Sequence, residues 1–236
     1  MVTIIICCML SISISNPVLP ISTCNIYYEA NTSDTQITIY PQNPIYEDTS
    51  VTYQDFILKI NGAYFQKHWT WKAGPDWKAV PPQIYFADLN LDSENEIIFL
   101  FSNEASSGTS VHSENIYVVD LTGIDYPVEN PQQYLEENLQ IHLSKTDTNV
   151  LVDVDIKGKQ QQLKYRPEVF PDLNTLNSIG LLDWTEYEIE NNLLFVKIPF
   201  ATYSTFVVGY IRLQYEEING VLQITNFTCT PLEKFS

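Results

Sequence analysis

The sequence predicts a mainly β fold with minor α content, in which antiparallel sheets and meanders are joined by turns and one or two short helices. Three observations support this prediction. Apolar and polar residues alternate with a period of two in many segments, two Asn-Gly dipeptides separate pairs of such segments, and a clear helix start occurs at one place. Because no internal repeat of fixed period appears, the pattern does not predict a full propeller.

In the first half of the chain, the clearest hairpin surrounds the dipeptide Asn61-Gly62. Residues 56–60 and 63–65 are the two predicted strands, and Asn-Gly supplies the positive φ angles of a two-residue hairpin turn. Residues 36–40 alternate and form an earlier predicted strand. Further strands are predicted over 83–87, 97–101 and 116–121.

Residues 131–139 are predicted to form a helix. Asn130 is a suitable N-cap, Pro131 fits the first helical position, and Glu136 and Glu137 lie further in. The pattern then returns to strands, which are predicted over 150–156, 161–165, 185–189, 193–198, 206–215 and 221–227. The last of these strands are expected to form a terminal antiparallel meander, with turns at Asn191-Asn192 and Asn219-Gly220.

The composition predicts an acidic globular protein. The chain has 236 residues, of which 44% are hydrophobic and 17% charged, so it is long enough to bury a sizeable core. Aspartate and glutamate total 29 against 12 lysines and arginines, which gives a formal net charge of −17. Such a charge repels the phosphates of nucleic acid and of anionic membrane surfaces, so neither is expected as a partner. The expected partner is an extracellular protein or a glycan.

Residues 1–23 are predicted to be a signal peptide, because an apolar run is followed by Pro17, Pro20 and small residues. The run is shorter than the about 20 residues of a membrane-spanning helix. No lysine or arginine lies between Met1 and Thr23, so the amino terminus alone supplies the positive charge. We expect a secreted or cell-envelope-associated protein. A lipoprotein anchored through Cys24 is the less favoured alternative.

The remainder, residues 24–236, is predicted to be a single β-rich domain. The irregular stretch 167–182 is the one place where a subdivision is expected, and it is as readily a long surface loop. After removal of the leader, Cys24 and Cys229 are the remaining cysteines, and a disulfide between them is the preferred interpretation for an exported protein. A lipidated Cys24, or two unpaired thiols, are the alternatives.

Oxygen-bearing side chains recur at alternate positions between residues 88 and 96. Asp88, Asn90 and Asp92 supply side-chain oxygens, the main-chain carbonyl of Glu94 is a further ligand, and Glu96 closes the set before an apolar strand. Calcium prefers six to eight oxygen ligands, and alternate residues of a tight loop can present them together. The spacing therefore predicts a calcium loop. A polar turn without an ion is the alternative, since Asp, Asn and Ser are common in turns.

This loop resembles the FG-GAP, or integrin-alpha-type, calcium motif. The stretch from 56 to 123 is similar to a family of exported proteins of Gram-positive bacteria that carry a single such loop, often described as a VCBS-type repeat. The matching segments are 60–62, 80–82 with Tyr85, 88–92, 96–98, 106–112 and 114–119. The resemblance implies an exported domain with one Ca²⁺ loop between strands and no established activity. In this chain Leu91 and Ser93 replace the usual glycines of the loop, and Glu96 replaces an aspartate.

Three tryptophans, Trp69, Trp71 and Trp77, form the densest aromatic segment. Trp69 and Trp71 share one face if the segment is a strand, and they are expected to pack in the core. The alternative is an exposed ligand face, which would make the protein a carbohydrate-binding module.

A catalytic role is the less favoured interpretation. The histidines His68, His112 and His142 are far apart in sequence, and none belongs to a metal-binding pair or to a serine-hydrolase motif. A secreted hydrolase with acidic catalytic residues is the alternative from a different class. We expect a calcium-binding β domain with a non-catalytic binding or envelope-associated role.

Overall fold

The computed structural model describes residues 3–4, 27–47, 50–73, 81–104, 112–170, 176, 178–202 and 206–232. The chain divides into two compact units. The first contains residues 1–88 and 93–126, and the second contains Leu89–Asp92 and residues 127–236. The described residues lie mostly in antiparallel strands and form no closed barrel or propeller, which confirms the predicted fold class.

The first unit contains two antiparallel sheets. The first has the order β1-β2-β3-β4-β5, with β6 paired to β4, and the second has the order β10-β9-β8-β7. The strands are β1 Thr3–Ile4, β2 Tyr28–Asn31, β3 Gln36–Glu47, β4 Ser50–Ile60, β5 Ala63–Lys67, β6 Trp71–Ala73, β7 Gln83–Ala87, β8 Glu96–Glu104, β9 His112–Val119 and β10 Asp125–Tyr126.

The predicted hairpin at Asn61-Gly62 is confirmed. Strands β4 and β5 pair from Ile60↔Ala63 onward, and the two turn residues have φ angles of 47° and 91°. Positive φ at both central residues is the requirement of a type I′ turn, which matches the right-handed twist of the strands. The Asn61 side chain also accepts a hydrogen bond from the N–H of Gln36 at 2.8 Å. The turn is therefore tied to the neighbouring strand β3.

Aromatic side chains from both sheets form the core of the first unit. Trp71, Phe56, Phe99 and Phe101 are each 0% exposed. The rings of Phe56 and Phe101 stack at 5.2 Å, and those of Trp71 and Phe101 stack at 5.5 Å. Such pairs add to the hydrophobic gain from burial, which is about 25 cal/mol per Å² of apolar surface.

The second unit contains one described α-helix and two further antiparallel sheets, with the orders β11-β12-β13 and β14-β16-β17-β18, the latter with β15 paired to β16. Its elements are α1 Pro131–Asn138, β11 Leu139–Lys145, β12 Val150–Ile156, β13 Lys159–Tyr165, a 3₁₀ turn Pro167–Val169, β14 Gly180–Leu181, β15 Glu186–Glu190, β16 Leu193–Thr202, β17 Phe206–Ile218 and β18 Val221–Pro231.

Helix α1 is confirmed with the predicted start. The side chain of Asn130 accepts a hydrogen bond from the N–H of Gln133 at 3.0 Å, and Pro131 is the first helical residue. Its buried residues are Pro131, Tyr134 and Leu135. The predicted terminal meander is also present as β15 to β18, with positive φ at Asn191, Asn192 and Asn219 in its turns. Among the described residues, no helix is long and apolar enough to cross a membrane.

The division between the units differs from the expected one. It falls between Tyr126 and Pro127, whereas the sequence indicated a subdivision near 167–182. The described part of that stretch belongs to the second unit, because Gly180 and Leu181 pair with Ala201 and Phe200 of β16. A single domain over 24–236, with a possible subdivision near 167–182, stays a prediction.

Candidate calcium site

The candidate site is the connection between β7 and β8. Ala87 ends β7 and pairs with Glu96, the first residue of β8. Both residues are 2% exposed. A buried glutamate at this position contrasts with residues 91–95, which are all exposed. The predicted ligand set therefore begins and ends next to two paired strands, and its last member is a buried carboxyl group.

The backbone of the loop is left-handed at two positions. Leu91 has a φ of 62° and Ser93 a φ of 76°. These are the two positions at which loops of the FG-GAP type carry glycine. A non-glycine residue costs about 1–2 kcal/mol in this region. The loop thus has positive φ at a leucine and a serine, which adopt this conformation less easily than glycine.

Hydrogen bonds inside the loop hold its polar side chains. Oδ2 of Asp88 accepts from the N–H of Ser93 at 3.0 Å, and Oδ1 of Asn90 accepts from the N–H of Asp92 at 2.9 Å. The amide nitrogen of Asn90 donates to Oδ2 of Asp92 at 3.0 Å. These bonds fold the side chains back onto the loop backbone, as in Asx turns.

The donor set fits a hard cation. Asp88, Asn90, Asp92 and Glu96 offer oxygen atoms, which calcium prefers over nitrogen and sulfur ligands. Within the described ranges, however, no three His, Cys, Asp or Glu side chains converge into a metal-binding group. A cation bound here would also compete with the hydrogen bond between Asn90 and Asp92. The loop therefore offers oxygen ligands of the kind that calcium prefers, while no group of three acidic side chains converges among the described residues.

The tryptophans are core residues. Trp69 is 4% exposed and Trp71 is 0% exposed. Trp69 donates from Nε1 to Oδ1 of Asp125 at 3.1 Å, and Trp71 donates from Nε1 to the carbonyl of Ser102 at 3.0 Å. Burial of the rings between the two sheets confirms the core interpretation, and the alternative of an exposed Trp69/Trp71 ligand face is wrong. Trp77 lies outside the described residues.

The predicted disulfide is not part of the described structure. Cys24 and most of the predicted leader lie outside the described residues, although Thr3 and Ile4 pair with Glu29 and Tyr28. Cys229 is partly buried on β18 and has no disulfide partner among the described residues. Burial raises its pKa to about 12, so the thiol is protonated at neutral pH. The link between Cys24 and Cys229 stays a prediction.

The two described histidine rings belong to different units. His68 Nδ1 lies 2.8 Å from Oδ1 of Asp55 in the first unit. His142 lies opposite Asp153 in the β11–β12 ladder of the second unit. The side chain of His112 is outside the described part of the chain. The pairing of His68 with Asp55 was not foreseen from the sequence, because the two residues are 13 positions apart and meet across two strands.

Comparisons with known proteins were negative. No protein-family model matches the chain, and no match was found among curated proteins or among solved structures. The similarity to single-loop FG-GAP or VCBS-type exported proteins therefore rests on the quoted residues, and it stays a prediction.

Proposed function

We propose that this protein is an exported, calcium-binding β-rich protein with a non-catalytic binding or cell-envelope-associated role. The strongest support for the calcium site is the backbone conformation of the loop. The loop between β7 and β8 takes left-handed conformations at Leu91 and Ser93, the two glycine positions of the resembled motif, although neither residue favours this conformation. The two-residue turns of the described chain place paired positive φ angles on adjacent residues, as at Asn191 and Asn192, whereas Leu91 and Ser93 are separated by Asp92.

The charge of the chain supports the same proposal. A formal net charge of −17 destabilises the folded state through self-repulsion, and a divalent cation lowers this repulsion locally. A cation at residues 88–96 would contact oxygen atoms on both sides of the β7–β8 connection. We infer that the ion stabilises this hairpin, and that its role is structural.

A thermal melt tests the calcium site. The protein is melted in EGTA and then in millimolar Ca²⁺, in parallel with the double variant Asp88→Ala, Asp92→Ala. A ligand at 100 times its Kd adds about 2.7 kcal/mol to the free energy of unfolding. At about 2–4 °C per kcal/mol for a chain of this size, that corresponds to a rise of roughly 5–11 °C in Tm. We expect this rise in the parent and its loss in the double variant.

The matched control is the double variant Asp34→Ala, Asp147→Ala. It removes the same two negative charges from exposed positions outside the loop. We expect it to keep the calcium-dependent rise. The site proposal fails if calcium leaves the Tm of the parent unchanged, or if the loop variant and the control respond equally.

Export is tested separately by sequencing the amino terminus of the protein recovered from the medium or from the envelope. Removal of the predicted leader, residues 1–23, leaves Cys24 as the first residue. Peptide mapping without reductant then shows whether Cys24 is joined to Cys229, carries a lipid or is a free thiol. A chain that retains residues 1–23 and stays inside the cell contradicts the proposed export.

A further inference from the structure

The outer face of the first sheet carries a group of aromatic side chains that are not part of the hydrophobic core. Ile39, Leu58 and Phe65 are paired neighbours on strands β3, β4 and β5, so their side chains lie on the same face of the sheet. The residues before and after each of them lie on the opposite face. The outward set contains Tyr40, Ile57, Lys59 and Tyr64. Together with Tyr27, which precedes β2, these residues are here termed the tyrosine face.

Two pairs of side chains within the tyrosine face are in contact. The rings of Tyr27 and Tyr40 lie 5.9 Å apart between centroids, and Nζ of Lys59 lies 5.3 Å from the ring centroid of Tyr64. Ile57, which pairs with Tyr40 of β3 and Gln66 of β5, is 6% exposed. Burial raises the pKa of Tyr40, and the nearby Lys59 ammonium group partly offsets this rise. Lys59 therefore lies close to both Tyr40 and Tyr64.

The exposed apolar area of this surface is small. Tyr64 is 54% exposed, and Tyr27 and Tyr40 are partly buried. A tyrosine ring contributes on the order of 150–250 Å² when fully buried. The exposed part of three rings is therefore below the about 800 Å² that each partner buries in a stable protein–protein interface. The surface is better matched to a small or linear ligand.

A polar group with a fixed orientation borders the tyrosine face. Asp55, two residues before Ile57 on β4, accepts from Asn43 Nδ2 at 2.7 Å through Oδ2 and lies 2.8 Å from His68 Nδ1 through Oδ1. These bonds lower the pKa of Asp55, the one with His68 contributing most. The His68 side chain is 80% exposed, and Nδ1 is engaged, so Nε2 is the ring nitrogen available to a ligand.

We propose that the tyrosine face binds an uncharged oligosaccharide. The C–H faces of pyranose rings pack on aromatic rings, and their hydroxyl groups form hydrogen bonds with groups such as His68 Nε2 and the Lys59 ammonium. The net charge of −17 disfavours anionic polymers, which leaves neutral glycans as the matching class. This inference rests on the proposed binding role, and it gives that role a surface and a ligand class.

The test is isothermal titration of the full chain with three neutral probes: cellohexaose, chitohexaose and maltohexaose. We expect at least one of them to bind with a Kd below the millimolar range. Tyr64→Ala should weaken this binding at least tenfold, Tyr64→Phe should retain most of it, and His68→Ala should weaken it several-fold. Tyr46→Ala is the matched control, because Tyr46 is 69% exposed on β3 and lies outside the tyrosine face.

Each titration is repeated in EGTA and in Ca²⁺, and each variant is melted to show that it is folded. Glycan binding that depends on Tyr64 but not on calcium supports the tyrosine face even if the calcium site fails. The proposal is overturned if no probe binds, if Tyr64→Ala and Tyr46→Ala behave alike, or if the surface binds a proline-rich peptide and none of the three glycans.

Discussion

The ammonium group of Lys67 lies 2.6 Å from Oδ2 of Asp125, with the Lys67 side chain 4% exposed and the Asp125 side chain 51% exposed. Lys67 ends β5 and Asp125 begins β10, so the ion pair joins the two sheets of the first unit. Lys67 also donates to the carbonyl of Gly123 at 2.6 Å, and Asp125 accepts from Trp69. A buried ammonium group is thus satisfied by one carboxylate and one carbonyl, beside a core tryptophan.

Replacing Asp125 by alanine should lower the free energy of unfolding by about 2–3 kcal/mol, because a buried ammonium group and the Trp69 N–H lose an acceptor. Urea denaturation measures the change. The control is Glu47→Ala, whose ion pair with Lys72 has both side chains 53% exposed and should contribute at most about 1 kcal/mol. Equal losses in the two variants would show that burial of Lys67 does not matter.

Replacing Leu91 by glycine should stabilise the protein by about 1 kcal/mol. Leu91 has a φ of 62° and is 76% exposed, so the substitution relieves backbone strain and removes little packing. Thermal melts in EGTA measure the effect without an ion. Asn95→Gly in the same loop is the control, because Asn95 is exposed but is not among the residues with positive φ. It should lose about 0.5–1 kcal/mol through chain entropy. A lower Tm for Leu91→Gly contradicts the strain argument.

Replacing Gly123 by alanine should cost more than replacing Gly62. Both glycines have positive φ, 79° and 91°, so the two alanine variants carry a similar backbone penalty. A Cβ at Gly123 would lie 2.5 Å from Cδ1 of Phe65, whereas a Cβ at Gly62 meets nothing within 4 Å. The excess for Gly123→Ala should be about 1–3 kcal/mol, measured by urea denaturation. Equal destabilisation would mean that the Phe65 ring moves aside freely.

Stability should fall as the pH rises above 9.0. Burial raises the pKa of Cys229 from an ordinary value of 9.0 to about 12 and also raises that of Tyr215. Between these values the unfolded chain releases the thiol proton and the folded chain keeps it, so ionisation favours unfolding. Urea denaturation in reducing buffer at pH 7, 9 and 11 measures the loss. The Cys229→Ala variant should lose less stability than the parent over this pH range. If the free energy of unfolding falls equally steeply with pH in both proteins, Cys229 does not cause the loss.

The elements that could be predicted from the sequence are those determined by local chemistry. Asn61-Gly62 specifies its own turn, and Asn130 with Pro131 specifies the start of α1. Strand β3 was predicted to end at residue 40 and continues to Glu47. Pro41 and Pro44 made this continuation hard to predict, because proline has no N–H for a ladder hydrogen bond. Strand β2 pairs with residues 36–39 of β3, so at the two prolines β3 pairs with β4 alone among the described strands, and proline is tolerated there as on an edge strand.

For the candidate sites, the sequence predicts residue types better than it predicts their surroundings. The spacing predicts the oxygen positions, and the resemblance to FG-GAP loops singles out Leu91 and Ser93 as the positions that usually carry glycine. Whether the carboxylates converge depends on side-chain conformations that the pattern does not specify. The same limit explains why alternation could place Trp69 and Trp71 on one face without showing that this face is internal. The tyrosine face also depends on a register between strands that are distant in sequence.

The order of the strands has a consequence for how the chain folds. In each sheet, the neighbouring strands are close in sequence, as in β2-β3-β4-β5, β7-β8-β9-β10, β11-β12-β13 and β16-β17-β18. Contacts between sequence neighbours close small loops and are rapidly formed. Each hairpin can therefore form as soon as its second strand is available. A chain that emerges from its amino terminus, from a ribosome or through a translocation channel, can assemble its sheets one after another without waiting for its last residues.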